Sequence, residues 1–408
     1  MNKENLEYLK RHYDNYIYPN PIEDIEEEFI KKKKRYIFDP TYHWHRIWPE
    51  LPYSTKQLNI LIAGCGTNEA AVMAMCNPNH LVTGVDVSET SILHQQKLLN
   101  KHKISNLKLI CDDFRKINFK DKFDLIISAG VIHHLSNPES ALKYFYENLK
   151  DNGAVALMVY GEKTGAMITE IKKIFNKLKL DHNKKSIDLI RTLINQLNPS
   201  HPLYIFSQKS LDLHYDSGIV DLFLHKSEKF YSIKDLIHIF SRNNFYIKNF
   251  IGGNIKSFTK YFYANKDFLQ NARSLSLEDQ WESAQFLNWD DRKIQIVISK
   301  NKKSVSLDHK KLELNEIYVC RVTGAEYFID NNKLSIRLAE TTEKISFNML
   351  VLDKNLLINV LNGKEKLKSF FKLYSLEQLK NLKEIFMLLL ENSYLEVSLF
   401  PVVIDRNL

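Results

Sequence analysis

The feature that most constrains the fold is a regular alternation of short apolar runs with longer, helix-like stretches over residues 58–160. Each apolar run has the length of a buried strand, and the runs occupy residues 58–63, 80–86, 106–111, 123–129 and 153–160. Between them, apolar residues recur at the spacing of an amphipathic helix. Strands that alternate with helices form βαβ units, so the pattern predicts an α/β fold with a mostly parallel sheet covered by helices on both faces.

This rhythm changes after residue 160. Residues 161–230 contain Lys-rich helical stretches and a loop rich in His, Tyr and Ser, and we interpret them as an insertion. A helix follows, for which Ser232 is a suitable N-cap because Asp235 stands three residues later. Two further strand-like runs, at 246–251 and 293–300, complete a predicted sheet of seven strands.

The two ends of the chain differ from the sheet domain. Residues 1–55 are rich in aromatic residues and Pro, which predicts an N-terminal arm of turns and short helices. Residues 301–408 contain short strands, then helices rich in Leu, Phe and Lys, and a closing strand. This order resembles a winged-helix-like module, so a small α+β domain is expected there. The sheet domain is predicted to span residues 56–300.

The charge of the chain does not by itself indicate a nucleic-acid partner. The net charge is +8, but the KKKKR run at 31–35 is offset by the acidic run at 23–28. In residues 301–408 the 16 basic residues exceed the 14 acidic ones by only two. A module that grips a phosphate backbone usually has a stronger basic stripe, so a packing or protein-contact role is favoured for this region.

The cysteines and the N-terminal residues suggest a compartment. The four cysteines have neither the spacing of metal ligands nor that of a disulfide framework, which favours a reduced protein without a bound metal. The first residues lack the apolar core of a signal peptide, and no run approaches the roughly 20 apolar residues of a membrane span. We therefore expect a cytoplasmic protein without a membrane partner.

A glycine pair and an aspartate indicate where a ligand binds. Gly64 and Gly66 follow the first strand and open a helix, where they let the backbone turn sharply and approach a ligand. The helix N-terminus offers free N–H groups suited to a carboxylate. Asp86 ends the second strand, 20 residues past Gly66, and can accept hydrogen bonds from both hydroxyls of a ribose.

The segments after the third and fourth strands distinguish the kind of nucleoside ligand. The glycine that would admit a pyrophosphate is missing at residues 67–69, whereas Asp112 and Asp113 end the third strand, where a carboxylate can meet an adenine amino group. The block FDLIISAGVIHHLSNPESAL at 123–142 resembles the fourth-strand block of class I S-adenosylmethionine (SAM)-dependent methyltransferases. The resemblance covers residues 58–160 and, more loosely, 230–300.

The resemblance implies a Rossmann-like sheet of seven strands with SAM over the carboxyl ends of the strands. Position by position, Gly64 and Gly66, with their neighbours Ala63 and Cys65, would pass the methionine part of SAM. The resemblance then places the ribose at Asp86 and Val87, the adenine at Asp112 or Asp113, and the sulfonium at Ala129 and Gly130. The product would be S-adenosylhomocysteine.

The sequence departs from the family pattern at two positions. Ala63 stands where an acidic residue often precedes the first glycine, and Asn68 replaces the usual third glycine. The segment at 218–236 looks like one found after the SAM domain in a group of bacterial methyltransferases. That group often has an N-terminal YPxP-type stretch, here Tyr18 to Pro21, and a small downstream domain, and its acceptors are mostly unassigned.

Candidate catalytic residues are His133, His134 and Tyr18. A histidine could take a proton from the acceptor, although in the resembled family the His-His-Leu stretch mostly shapes the strand–helix junction. Aromatic faces attract a sulfonium, so a lid over the site could be formed by Tyr13, Tyr16, Tyr18, Trp44 and Trp48. Alternatively, these aromatic residues attach the arm to the sheet. Cys65 and Cys111 are expected to be core residues and not nucleophiles.

Three functions remain compatible with the sequence. The favoured one is a SAM-dependent methyltransferase acting on a small molecule or a protein side chain by in-line displacement. The second is an RNA or DNA methyltransferase, against which stands Ser128-Ala129-Gly130-Val131 in place of an Asn/Asp-Pro-Pro-Tyr/Phe block. The third is a non-catalytic SAM-binding scaffold subunit, suggested by Ala63 and Asn68. The sequence leaves open whether the chain forms a homodimer.

Overall fold

The computed structural model describes residues 16–32, 34–225, 228–251, 258–262, 265–287, 292–302, 312–322, 325–338 and 344–402. The chain forms two compact units, each built from separated stretches. The first unit comprises Met1–Asp39, Gln57–Tyr246 and Trp289–Lys300, and the second comprises Pro40–Lys56, Ile247–Asn288 and Asn301–Leu408. The boundaries of the three predicted domains stay a prediction.

A seven-stranded sheet has the strand order β3-β2-β1-β4-β5-β7-β6. Its strands are β1 Asn59–Ala63, β2 Leu81–Asp86, β3 Leu107–Cys111, β4 Phe123–Ala129, β5 Leu149–Tyr160, β6 Tyr246–Phe250 and β7 Lys293–Ser299. Strands β1 to β5 pair in parallel, and β7 pairs antiparallel with β5. The predicted Rossmann-like sheet of seven mostly parallel strands is confirmed.

Strand β1 lies inside the sheet, between β2 and β4, and its burial fits this position. All residues from Ile60 to Ala63 are fully buried, as expected for a strand that is covered on both faces. In register, Ala63 pairs with Val85 on one side, and Ile62 pairs with Ile127 on the other. The carboxyl ends of β1, β2 and β4 therefore lie next to one another, which places their following loops at one edge of the sheet.

Helices connect the strands of the first unit. They span Glu69–Cys76, Glu89–Lys101, Pro138–Asn148 and Ile233–Arg242. Side chains cap the starts of three of these helices: Ser88 and Asn137 each accept a backbone N–H from the first turn, and Ser232 forms a capping box with Asp235. The sequence signal at Ser232 is thus confirmed, and its physical basis is that a cap satisfies backbone donors that the helix leaves unpaired.

The segment that follows β5 has an apolar core of its own. Its helices span Glu162–Lys177, Lys184–Gln196, Pro202–Lys209 and Asp216–Ile219. Buried residues from these helices and the turn after them pack into one cluster that includes Ile168, Phe175, Ile190, Phe206 and Phe223. This part of the chain is therefore an ordered layer of helices and not an extended loop.

The second unit contains two three-stranded antiparallel sheets with the orders β11-β10-β9 and β12-β8-β13. The strands are β8 Tyr318–Arg321, β9 Ala325–Asp330, β10 Lys333–Leu338, β11 Lys344–Asn348, β12 Asn362–Lys366 and β13 Leu395–Ser398. Its helices are Pro40–Ile47, Lys266–Ser274, Leu277–Leu287, Lys354–Leu361, Leu367–Phe371 and Leu376–Glu391. The expected small C-terminal domain with sheet structure is confirmed, whereas its winged-helix-like character stays a prediction.

Largely buried ion pairs connect elements of the second unit. Glu396 on β13 pairs with Arg46 at 2.7 Å and with His45 at 2.6 Å. Arg273 binds both carboxylate oxygens of Glu391 at 2.9–3.1 Å.

In the described ranges, every helix is too short or too polar to cross a lipid bilayer.

The helix Glu69–Cys76 packs over Gly84 on β2. A Cβ atom at Gly84 would lie 2.6 Å from the Cβ atom of Ala70 and 3.1 Å from Cδ2 of Leu109. We expect Gly84→Val to lower the free energy of unfolding by about 1–3 kcal/mol, because overpacking displaces buried neighbours. Urea unfolding followed by far-UV circular dichroism measures this change. The control, Leu81→Ala, alters an exposed position on the same strand, and equal stability of both variants would contradict the packing argument.

Candidate functional site

A cavity of about 330 Å³ opens at the carboxyl ends of the parallel strands. Its lining combines the turn after β1, the last residue of β2, the residues after β3 and the ends of β4 and β5. The residues from these five places are Gly64 and Gly66, Asp86 and Val87, Asp112 and Asp113, Ala129 and Gly130, and Met158 and Tyr160. Eight of these ten residues were predicted from the sequence to contact a ligand, and the fold brings them together around one space.

The turn after β1 has a backbone conformation that requires glycine. Gly64 has a φ of +81° and Gly66 a φ of +53°, a region that other L-residues rarely adopt. A Cβ atom at Gly64 would lie 2.3 Å from Cγ2 of Val131, and one at Gly66 would lie 2.9 Å from Cδ of Pro19. The backbone therefore approaches both the fourth-strand loop and the arm more closely than any side chain would allow.

The carboxylate of Asp86 joins this turn to the end of β2. Its Oδ2 accepts the backbone N–H of Gly66 at 2.8 Å, and its Oδ1 accepts that of Ser88 at 2.9 Å. Two charge-assisted hydrogen bonds orient the carboxylate. The Asp86 carboxylate thus lies at the mouth of the glycine turn and lines the cavity.

Gln95 supports the glycine turn from its buried side. The sequence analysis did not predict this role for Gln95. Its Nε2 donates to the carbonyl oxygens of Cys65 and Gly66 at 3.1 and 2.7 Å, and its Oε1 accepts the N–H of Ala71 at 2.9 Å. The side chain is fully buried. In the sequence, the only sign of this role is a Gln on the helix face that also carries apolar residues. The fold shows which backbone groups the Gln95 amide pairs with.

The two aspartates after β3 differ in their surroundings. Asp113 is buried and forms a bidentate pair with Arg115, at 2.9 and 2.6 Å. Burial alone would raise the pKa of Asp113, but the hydrogen bonds and charge of Arg115 outweigh burial and lower that pKa. Asp112 is exposed, and its Oδ1 accepts the N–H of Asp113 at 2.7 Å. Asp112 is therefore the carboxylate of the two that is better able to meet a ligand.

The candidate catalytic residues separate into two groups. Tyr18 and His134 line the cavity, whereas His133 is fully buried against Tyr160, with 4.3 Å between the ring centroids. Burial, and after it the nearby His134, lowers the pKa of His133 well below its ordinary value, so His133 is neutral at pH 7. Tyr18 donates its hydroxyl to Oδ2 of Asp212 at 3.1 Å, and burial raises the pKa of Tyr18 well above its usual value.

The wall beside Tyr18 contains further polar groups that sequence reasoning did not assign. The guanidinium carbon of Arg292 lies 3.5 Å from the centroid of the Tyr160 ring, a cation–π arrangement. Tyr160 lines the cavity together with Lys293, the first residue of β7. These residues enter the site from strands that are distant in sequence, which is why the local pattern could not identify them.

The N-terminal arm lies against the glycine turn. Thr67 donates its hydroxyl to the carbonyl oxygen of Pro19 at 2.7 Å. The Asn68 amide donates to the carbonyl of Asn20 at 3.0 Å and accepts the N–H of Ile22 at 3.1 Å. Asn68, which departs from the family pattern, thus holds the arm where a third glycine would offer no side chain.

Several predicted residues lie outside the cavity lining. Ala63 and Cys65 are fully buried in the turn, and burial raises the pKa of the Cys65 thiol, so it is no nucleophile. Tyr16 donates to the carbonyl of His182 at 2.9 Å. Trp44 and Trp48 belong to the second unit, where their rings lie 4.5 Å apart. Tyr13 falls outside the described residues.

Two clusters in the described chain bring three metal-ligand side chains within 4.8 Å of one another. They are His133, His134 and Glu228, and His45, Cys320 and Glu396. In each cluster a protein cation already pairs with the carboxylate: Lys172 lies 2.6 Å from Glu228, and Arg46 lies 2.7 Å from Glu396. A metal cation at either cluster would be repelled by the protein cation that already pairs with the carboxylate. That no metal binds therefore stays our prediction.

Comparisons with known proteins agree with this geometry. Residues 54–216 match the methyltransferase domain family. The malonyl-[acyl-carrier protein] O-methyltransferase of Bacillus cereus is 24% identical over 187 residues, which cover 45% of this chain and 64% of that enzyme. The ubiquinone biosynthesis O-methyltransferase of Glaesserella parasuis is 24% identical over 267 residues, 61% of this chain and 94% of that enzyme.

Among solved structures, PKMT2 from Rickettsia typhi in complex with AdoHcy superposes with a TM-score of 0.61. It is 17% identical, and the match covers 89% of this chain and 75% of that one. The chain spans between 51% and 64% of the length of the first three curated relatives that it matches. The resemblance to SAM-dependent methyltransferases is confirmed for residues 54–216, which match the methyltransferase domain family.

The second prediction tests the buried amide beneath the turn. We expect Gln95→Leu to lower the free energy of unfolding by at least about 2 kcal/mol, because it leaves two carbonyls and one N–H without their partner. Urea unfolding measures the loss. Gln96→Leu is the matched control, since Gln96 is the exposed neighbour on the same helix. Similar stabilities of the two variants would show that Gln95 does not support the turn.

Proposed function

We propose that this chain is a SAM-dependent methyltransferase that transfers a methyl group to a small molecule or a protein. The observation that carries the proposal is the Asp86 carboxylate, held by the N–H of Gly66 at the mouth of a glycine turn and facing an open cavity. A carboxylate in this position suits a ribose, and the family match covers the same residues.

The cavity offers each part of SAM a chemically suitable partner. Asp86 would accept bonds from the ribose hydroxyls, and Val87 would contact the same sugar. Asp112 would accept a bond from the adenine amino group, since Asp113 is already paired with Arg115. The methionine part would pass Gly64 and Gly66, and the sulfonium would lie beside Ala129 and Gly130 at the end of β4.

When bound, SAM supplies an electrophilic methyl group on a positively charged sulfur. The residues of this chain contribute position and the exclusion of water, which together account for a large part of such a rate. Tyr18, Met158 and Tyr160 line the same space, and their apolar surfaces would shield the reacting atoms. The rings of Tyr18 and Tyr160 would also favour a sulfonium through their π faces.

The candidate catalytic residues have different roles in this proposal. Tyr18 keeps its proton at pH 7 and would orient the acceptor as a neutral group that also bonds Asp212. His134 lines the cavity and is the histidine able to take a proton from the acceptor. His133 would support Tyr160 from behind and would not contact the reacting atoms.

The two departures from the family pattern leave the cavity open. The scaffold hypothesis rests on Ala63 and Asn68, the two departures from the family pattern. Asn68 holds the arm through two hydrogen bonds, and Ala63 is buried in the strand pairing, yet the cavity beside them stays open. Salt-dependent binding to RNA or DNA would instead support the nucleic-acid alternative.

The third prediction tests the ribose assignment. We expect Asp86→Ala to weaken SAM binding by about 1–3 kcal/mol, because two ribose hydroxyls lose their acceptor. Calorimetry with SAM and S-adenosylhomocysteine measures the loss, and circular dichroism checks that the variant folds. The control, Asp121→Ala, removes an exposed carboxylate just before β4.

Two outcomes would contradict the proposal. Wild-type affinity in Asp86→Ala would show that the ribose assignment is wrong. Binding of neither SAM nor S-adenosylhomocysteine to the wild-type chain at millimolar concentration would exclude both the enzyme and the scaffold. If both ligands bind, transfer of a labelled methyl group to small-molecule and protein acceptors then separates the enzyme from the scaffold.

A further inference from the structure

We infer that Glu69 binds the α-ammonium group of the methionine part of SAM. Glu69 begins the helix that follows the glycine turn, and its side chain lines the cavity together with Gly64, Gly66 and Asp86. The inference rests on the proposed function and adds a binding residue that the sequence did not indicate. Ala63 stands where the family often has an acidic residue before the glycine turn. In this chain the acidic side chain, Glu69, follows the turn instead.

In the part of the chain that the structure describes, the carboxylate of Glu69 has no cationic partner. Its hydrogen-bond partner is the hydroxyl of Tyr36, a residue of the arm that also lines the cavity. Among the residues that the structure describes, no Lys, Arg or His side chain forms an ion pair with Glu69. The titratable groups that face it are the Tyr36 hydroxyl, the Asp86 carboxylate and the Cys65 thiol, and none of these carries a positive charge.

These surroundings disfavour the charged form of the carboxylate. Burial, with a smaller contribution from the negative charge of Asp86, outweighs the lowering effect of the Tyr36 hydrogen bond and raises the pKa of Glu69 to about 8. A charged group in such a place is stabilised by a counter-charge that enters with a ligand. The open side of Glu69 is the cavity, so the counter-charge is expected to come from there.

The cavity geometry selects the ammonium from the two cations of SAM. The sulfonium belongs beside Ala129 and Gly130 at the end of β4, whereas the amino acid end belongs at the turn after β1. Glu69 stands three residues after Gly66, on the helix that this turn opens. An ammonium has three donors and pairs well with a carboxylate, whereas a sulfonium has none.

Three ligands separate the contributions. S-adenosylhomocysteine keeps the ammonium but lacks the sulfonium charge, and 5′-methylthioadenosine lacks the amino acid altogether. We expect Glu69→Gln to weaken SAM and S-adenosylhomocysteine by a similar factor of about 10 to 100, the size of one charge-assisted hydrogen bond. The affinity for 5′-methylthioadenosine should change less than about threefold. Calorimetry with each ligand measures these ratios.

Matched variants test the rival explanation that Glu69 only holds the arm through Tyr36. Tyr36→Phe removes that hydrogen bond and keeps the carboxylate, so it should preserve most of the discrimination between S-adenosylhomocysteine and 5′-methylthioadenosine. Glu89→Gln makes the same chemical change at an exposed first-turn glutamate on the next helix and should leave all three affinities unchanged.

The protonation of Glu69 provides a second measurement. Because its pKa of about 8 lies above neutral pH, the group is mostly protonated in the free protein at pH 6–7 and must lose its proton to pair with an ammonium. The SAM ammonium itself stays charged below pH 7. SAM affinity should therefore rise nearly tenfold from pH 6 to pH 7, with release of close to one proton, and this slope should vanish in Glu69→Gln.

Each failure has a distinct signature. Equal losses for all three ligands in Glu69→Gln, reproduced by Tyr36→Phe, would overturn the inference in favour of an arm anchor. A loss confined to SAM would assign Glu69 to the sulfonium and also overturn it. If none of the three ligands binds the wild-type chain, the proposed function itself fails. If they bind and Glu69→Gln changes nothing, only the inference about Glu69 is wrong.

Discussion

The hydrogen bond between the Gly66 N–H and the Asp86 carboxylate is the interaction on which the site depends. It joins two loops that leave adjacent parallel strands, and it orients the carboxylate toward the cavity. The bond uses a backbone N–H that points at the end of β2, and Gly66, which donates it, has a left-handed φ of +53°. Gln95 stabilises the same turn from the buried side by bonding two of its carbonyl oxygens.

The arm completes the site on its open side. Pro19 contacts Gly66 so closely that a side chain there would collide, and the Asn68 amide holds the following residues in place. A glycine at residue 68 would make the turn more flexible but would lose both hydrogen bonds. The departure from the family pattern is therefore explained by the requirements of the arm and does not weaken the cavity.

The charges around the cavity favour binding over covalent chemistry. Tyr18 and Tyr160 stay protonated because burial raises the pKa of each phenol, and His133 stays neutral because burial lowers the pKa of its imidazole. With the Asp86 carboxylate and the Glu69 carboxyl group beside them, these neutral aromatic groups suit a ligand that has a positively charged centre, although Lys293 also lines the cavity. This agrees with a reaction whose rate depends mainly on alignment and the exclusion of water.

The sequence alone determined the sheet domain and the central part of the site. Strand-length apolar runs that alternate with helical periodicity allow few architectures, and glycines and aspartates at the carboxyl ends of such strands have a local physical reason to be there. The positions of Gly64, Gly66, Asp86 and Asp112 in one cavity were therefore predictable. Their backbone and side-chain requirements are local.

Tertiary structure decided the rest, because long-range contacts leave no periodic signal. Glu69 and Tyr36 are 33 residues apart and meet only when the arm folds over the turn. Tyr160 and Lys293 enter the same wall from paired strands far apart in sequence. Trp44 and Trp48 have the composition of a lid, yet they pack in the second unit. The packing of the whole fold sets the path of the chain. The path of the chain in turn decides which aromatic side chains reach the cavity.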